Sequence, residues 1–236
     1  LYQQPGGEIV ASSPILLRMI VEVSHRQGEL PAGRAQLYHR FFADWYEREQ
    51  KKERRTGIPL RWSFDLTLEA LGHLAFHSRK EGMVTCDLDW AIRNLRPVLL
   101  DEIRRFIERM AQGLLLTLNI ETQTLTFSHE TLQEYLAAEY LLREPEALFS
   151  LPVDQWEMWR MPLAYVFELT DMVPDDIIKM IWLIEPTLIM AVLRDTQKLM
   201  SLPIIDKWNP WLKRFLKAMR GDLELEITSE DIEYYF

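Results

Sequence analysis

Apolar positions recur with a helical period over most of this chain and break that period at one place. Ile15, Met19, Ile20 and Val23 repeat at helical spacing behind Ser13-Pro14, a serine cap with proline at the first helical position, and Gly28 closes the run. Pro31-Ala32-Gly33 predicts a turn. A second helix then carries Leu37, Phe41, Phe42, Trp45 and Tyr46 on its apolar side and runs out into the mixed-charge tail Arg48 to Arg55. Gly57-Ile58-Pro59 reads as a loop. From Ser63 the helical period returns through Phe64, Leu68, Leu71 and Ala75 until Gly82, and Met83-Val84-Thr85 predicts a short strand. A short helix from Asp87 and a longer one from Pro97 follow. The longer one places Ile103, Phe106, Ile107 and Met110 on one face, and Gly113 stops it.

The period then changes. Leu114 to Asn119 and Leu125 to Phe127 are apolar-rich runs separated by the polar stretch Ile120-Glu121-Thr122-Gln123-Thr124, which predicts a β-hairpin. Leu132, Tyr135, Leu136 and Tyr140 mark an amphipathic helix directly after it. Helices followed by a two-stranded wing describe a winged-helix module. Beyond Pro145, helical stretches begin near Gln155, Pro174, Thr187 and Trp208, with one further strand signal at Leu223 to Ile227. Short proline-separated helices point to the opening of a helical-repeat array, although no residue-level repeat of fixed period is present. The expected fold is mostly α: a winged-helix domain with a small β-hairpin wing, flanked by helical domains. The expected boundaries are 1–30 for the end of a small helical domain, 31–143 for the winged helix and 144–236 for a helical sensor region.

Composition narrows the function. With 48% hydrophobic and 27% charged residues among 236, the chain is globular and long enough for a sizeable core. A net charge of −9 is a poor match for nucleic acid, whose binding neutralises phosphates. Cys86 is the only cysteine, which excludes an internal disulfide and a cysteine-built zinc site and fits a reducing, cytoplasmic setting. The most apolar window, Ile177 to Leu193, contains Lys179, Glu185 and Pro186, so a membrane span is not expected. The chain opens at Leu1 without a methionine, as expected of a piece of something longer.

Several candidate sites dissolve on inspection. Gly28-Glu29-Leu30-Pro31-Ala32-Gly33-Arg34-Ala35 imitates the spacing of a phosphate-binding P-loop, but Arg34 replaces the lysine and Ala35 removes the magnesium-binding hydroxyl. His73 and His77 could face one metal, yet Leu74 stands where a zincin needs its general base and no third ligand is apparent. The Arg48 to Arg55 run holds five basic and two acidic residues and is expected to be a solvated helix end. Ser128-His129-Glu130 is consecutive, so its side chains diverge where a catalytic triad must converge. No catalytic or metal site is expected.

The segment Phe127-Ser128-His129-Glu130-Thr131-Leu132-Gln133-Glu134-Tyr135-Leu136-Ala137-Ala138-Glu139-Tyr140 resembles the end of the winged-helix domain in NACHT-type STAND NTPases, the signalling class that includes NOD-like receptors. Every fixed position of F-x-H-x-[ST]-[FL]-Q-E-[YF]-x-A-A-x-[YF] is met. Upstream, Ser13-Pro14-Ile15-Leu16-Leu17-Arg18-Met19-Ile20 is similar to the proline motif of that family's small helical domain. Leu30-Pro31 with Leu37-Tyr38 and Phe41, and Leu71-Gly72-His73-Leu74-Ala75, also fit. The resemblance implies that His129 reaches the β-phosphate of bound ADP and that Pro14 packs near the adenine. It implies ADP or ATP held mainly by an upstream nucleotide-binding domain that these residues lack, a homo-oligomer on activation, and a sensed ligand of unknown identity. The chain alone, without a P-loop, is expected to be inactive, whereas the parent protein would be an NTPase. The alternatives are a winged-helix DNA-binding regulator and a helical-repeat protein-interaction scaffold.

Overall fold

A computed structural model describes residues 33–57, 60–151 and 158–170, together with Met19 and Val21. All of these fall within one compact unit, Leu1–Gln197. The described residues are mostly helical with one small antiparallel sheet, as the mostly α expectation requires. Met19 and Val21 are helical, but the caps of that first helix, the turn at Pro31, the helix starts near Gln155, Pro174, Thr187 and Trp208, the apolar window 177–193 and the strand at 223–227 lie outside the described residues.

Helix α1 (Arg34–Thr56) buries Leu37, Tyr38, Phe42, Trp45 and Glu49 along one stripe. It stops at Gly57, whose φ of 69° closes the last turn through a hydrogen bond from its N–H to the Glu53 carbonyl. Arg54 and Arg55 sit in that last turn, where the helix dipole favours cations. Helix α2 (Phe64–Lys80) begins at Ser63, whose hydroxyl accepts from the Leu66 N–H at 3.2 Å. Strand β1 (Thr85–Asp87) leads into α3 (Leu88–Leu99), which buries Leu88, Ala91, Leu95 and Leu99, and α4 (Ile103–Gln112) follows. Ile103, Phe106, Ile107 and Met110 are buried together on α4, as their spacing predicts.

Strands β2 (Leu116–Asn119) and β3 (Thr124–Phe127) form the predicted hairpin, with Leu116 opposite Phe127 and Leu118 opposite Leu125. Helix α5 (Glu130–Arg143), a 3-10 turn at Pro145–Ser150 and α6 (Arg160–Leu169) complete the described residues. Helix α5 packs against α2 on one side and α6 on another, and α6 also reaches α1. The α2–α5 approach depends on Gly72, where a Cβ would lie 3.0 Å from the Leu136 carbonyl oxygen.

Three expectations need correction. The strand after Gly82 is Thr85–Asp87 rather than Met83 to Thr85, and it pairs with β3, giving a three-stranded sheet in the order β1-β3-β2. The helix from Asp87 is the longer of its pair and contains Pro97, which therefore does not start the next one. The break falls at Leu100 to Glu102, where Leu100 and Glu102 have φ of 57° and 60°. Finally, α5 is not simply amphipathic: Leu132 to Ala138 are buried without interruption, because helices cover it on more than one side.

Candidate functional site

The N-terminus of α5 gathers the residues of interest. Strand β3 delivers the chain to Ser128, whose N–H bonds the Leu115 carbonyl at 3.1 Å. His129 then adopts an extended conformation (φ −155°, ψ 143°) and caps α5 with its own ring: Nδ1 accepts from the Thr131 N–H at 3.2 Å. The Thr131 hydroxyl lies 2.8 Å from the same nitrogen. A backbone N–H can only donate, so Nδ1 is the acceptor and the ring proton belongs on Nε2. The cap therefore fixes the tautomer and leaves Nε2–H outside it. His129 is half-buried, at a helix end where the dipole and N–H groups favour an anion.

Charge around this end is mixed. Glu130 in the first turn is exposed, and Glu134 one turn on is buried. Arg79 reaches in from α2, 3.4 Å from Glu134 and 3.9 Å from Glu130. Burial pushes the Glu134 carboxyl up to about 7, more than Arg79 pulls it down. Burial likewise lowers Arg79 from its ordinary value, against the pull of Glu134 and Glu130. Gln133 donates to the Ser78 hydroxyl at 2.9 Å, tying the same turn of α5 to the end of α2.

Behind the site lies an aromatic and polar core. Tyr135 stacks on Tyr38 and Phe42 with ring centroids 5.3 Å and 5.6 Å away, and Tyr165 meets Tyr38 edge-on at 5.7 Å. The Tyr135 hydroxyl donates to Glu139, which also faces His39 at 3.6 Å. Hydrogen bonds from His39 and Tyr135 hold Glu139 below the usual carboxylate range although burial alone would raise it. The Glu139 hydrogen bond raises His39.

The other sequence candidates have structural roles. The N-terminus of α1, at the end of the P-loop-like spacing, already carries an anion: Glu168 of α6 accepts from the Ala35 N–H at 2.8 Å in a buried contact. His73 and His77 pack ring against ring at 4.3 Å, with Tyr140 beside both. Burial lowers both histidines, His77 to about 4. Among the described residues no group of three or more His, Cys, Asp or Glu side chains is placed to hold a metal. In the charged tail of α1, Lys51, Lys52, Arg54 and Arg55 are exposed, while Glu49 is buried against Arg109 of α4 at 2.7 Å. The His129 ring bonds Thr131, so Ser128 and Glu130 do not assemble a triad around it. Pro14 lies outside the described residues, and its relation to His129 is not defined.

Sequence reasoning missed Arg79, Glu134 and Glu168. All three are charged residues that the fold buries, and a charge at helical spacing looks the same whether it meets water or a partner. One signal was present: Ala137-Ala138 flanked by Leu and Tyr on both sides leaves α5 little room for a solvated face.

Among the described residues no helix is long and apolar enough to cross a membrane. No protein-family model matches the sequence, and comparison with curated proteins and with solved structures returned no match.

Proposed function

We propose that this chain is the regulatory part of a NACHT-type STAND signalling NTPase. In this reading it holds an ADP-bound, autoinhibited state and couples ligand sensing to nucleotide exchange and oligomerisation in a cytoplasmic defence pathway. The observation that carries the reading is the state of His129. Within the segment Phe127 to Tyr140, its Nδ1 is consumed by the cap and its Nε2–H is left for an acceptor at a helix N-terminus. The succession of α2, β1, α3, α4 and hairpin, with β1 joined to β3, suits a winged-helix domain. In the basic run of α1, Lys51 and Lys52 pair with Glu47 and Glu49, and the net charge is −9, which gives the DNA-binding alternative less support.

In the closed state an upstream domain would hold ADP, and Nε2–H of His129 would donate to its β-phosphate. A contact made in one state only shifts the equilibrium by its own free energy. A hydrogen bond to a charged group contributes about 1.5–3 kcal/mol, so losing it changes the closed-to-open ratio about 10- to 150-fold. The test is His129→Ser in the parent protein. Serine is a strong N-cap, so α5 keeps its start, but its short side chain cannot reach where the imidazole reached. ADP release is expected to accelerate within that range, with an unchanged melting temperature of the nucleotide-free protein. Unchanged ADP release would overturn the proposal.

A further inference from the structure

Arg79 occupies the last turn of α2 and is only 7% exposed, so its charge must be matched inside the protein. It is matched from two directions. Nε donates to the Met158 carbonyl oxygen at 2.9 Å, and one terminal nitrogen donates to the same oxygen. That terminal nitrogen also lies 3.4 Å from Glu134, while the other lies 3.9 Å from Glu130. Met158 stands just before α6, whereas Glu130 and Glu134 belong to the first two turns of the helix that His129 caps. One guanidinium thus bridges the approach to α6 and the start of α5.

We infer that Arg79 is a positioning residue, the joint through which displacement of the 158–170 segment changes how His129 presents its Nε2–H. The inference rests on the reading of His129 as a phosphate contact. Its physical basis is the rigid fork of the guanidinium. If Met158 withdraws and Arg79 follows it, buried Glu134 loses its guanidinium hydrogen bond. If Arg79 stays with Glu134, the Met158 carbonyl loses both of its donors. Either separation is unfavourable in a buried site, so the two segments move together or part in one step. The Gln133 to Ser78 bond ties the same turn of α5 to the residue next to Arg79, a second link between α2 and the capped end.

The decisive measurement is a cycle of ADP-release rates in the parent protein with Arg79→Lys, His129→Ser and both together. Lysine keeps the charge and loses the fork. Arg79→Lys is expected to accelerate release several-fold. The double variant is expected to release no faster than His129→Ser alone, a departure from multiplicativity of about 2-fold or more. A merely structural Arg79 would give multiplicative effects. Imidazole 15N resonances of His129 are expected to lose the pure Nε2–H pattern in the Arg79→Lys variant. If Arg79→Lys proves too unstable to compare, Glu134→Gln removes the carboxylate arm alone and is expected to act in the same direction. Acceleration by His129→Ser with none from Arg79→Lys or Glu134→Gln, or with a multiplicative double, would sink the joint and leave the His129 reading intact. No effect of His129→Ser would remove both.

Discussion

Helices α1 and α5 both start at ends that attract anions, and the protein treats those ends in opposite ways. At α1 the first turn is capped from a distance: Glu168 of α6 places a carboxylate on the Ala35 N–H in a buried contact. Gly33 leaves room for it, since a Cβ there would lie 3.0 Å from the Glu168 oxygen. At α5 the cap is local, made by the residue that begins the helix, and one ring nitrogen remains outside the cap. The first end is filled by the protein's own anion and serves to dock α6. The second is structurally satisfied yet still has a donor to offer. The difference lies in where the cap comes from: a residue 133 positions away at α1, the adjoining residue at α5.

The largest expected effect removes the packing that both ends share. Tyr135→Ala deletes the ring stacked on Tyr38 and Phe42 and is expected to cost about 3–5 kcal/mol in urea unfolding. Tyr135→Phe, which keeps the stack and loses only the bond to Glu139, should retain most of that stability. A loss confined to α5, with amide exchange in α1 unchanged, would show that the two ends do not share a core.

The next concerns the charge one turn behind the α5 start. Glu134 has its folded pKa raised from 4.5 to about 7, so the folded protein binds a proton more tightly there than the unfolded chain. Its stabilising contribution is complete below about pH 4.5 and is lost as pH rises through about 7. At about 1.4 kcal/mol per pH unit the full effect is about 3 kcal/mol. His39, also raised, contributes in the same direction, so the measurement is a difference. Stability of Glu134→Gln minus that of the native chain should grow from pH 5 to pH 8. A difference that stays flat would mean that Arg79 keeps Glu134 ionised throughout.

The smallest expected effect tests the distant cap itself. Glu168→Ala removes a charged hydrogen bond and should cost about 1.5–3 kcal/mol, with faster amide exchange at Ala35. Glu168→Gln keeps an acceptor and should recover part of the loss. Unchanged exchange at Ala35 would show that α1 does not depend on α6 for its start.

How much of this was legible beforehand differs from feature to feature for physical reasons. The helix start at Ser63, the loop at Gly57, the stop at Gly82, the hairpin around 120–124, Leu37, Phe42 and Trp45 on α1 and the buried face of α4 follow from local geometry, and the sequence read alone places them, although it missed Tyr38. His129 at the head of α5 was legible for the same reason, because a cap is made by residues next to each other in the chain. Pro97 misled because a proline at a helix start and one in a last turn break the same pattern.

The sequence by itself determined the mostly helical pattern, the helix start at Ser63, the hairpin and the apolar face of α4. Only the tertiary structure decided that β1 joins β3, that Glu168 fills the α1 end, and that Arg79 and Glu134 meet inside. Those outcomes depend on partners far apart in the chain: 133 residues separate Ala35 from Glu168, and 55 separate Arg79 from Glu134. Local propensity acts over a few residues and cannot see such pairs. Burying a charge is favourable only when its partner arrives, so the tertiary contact, not the residue type, sets whether it is solvated or locked.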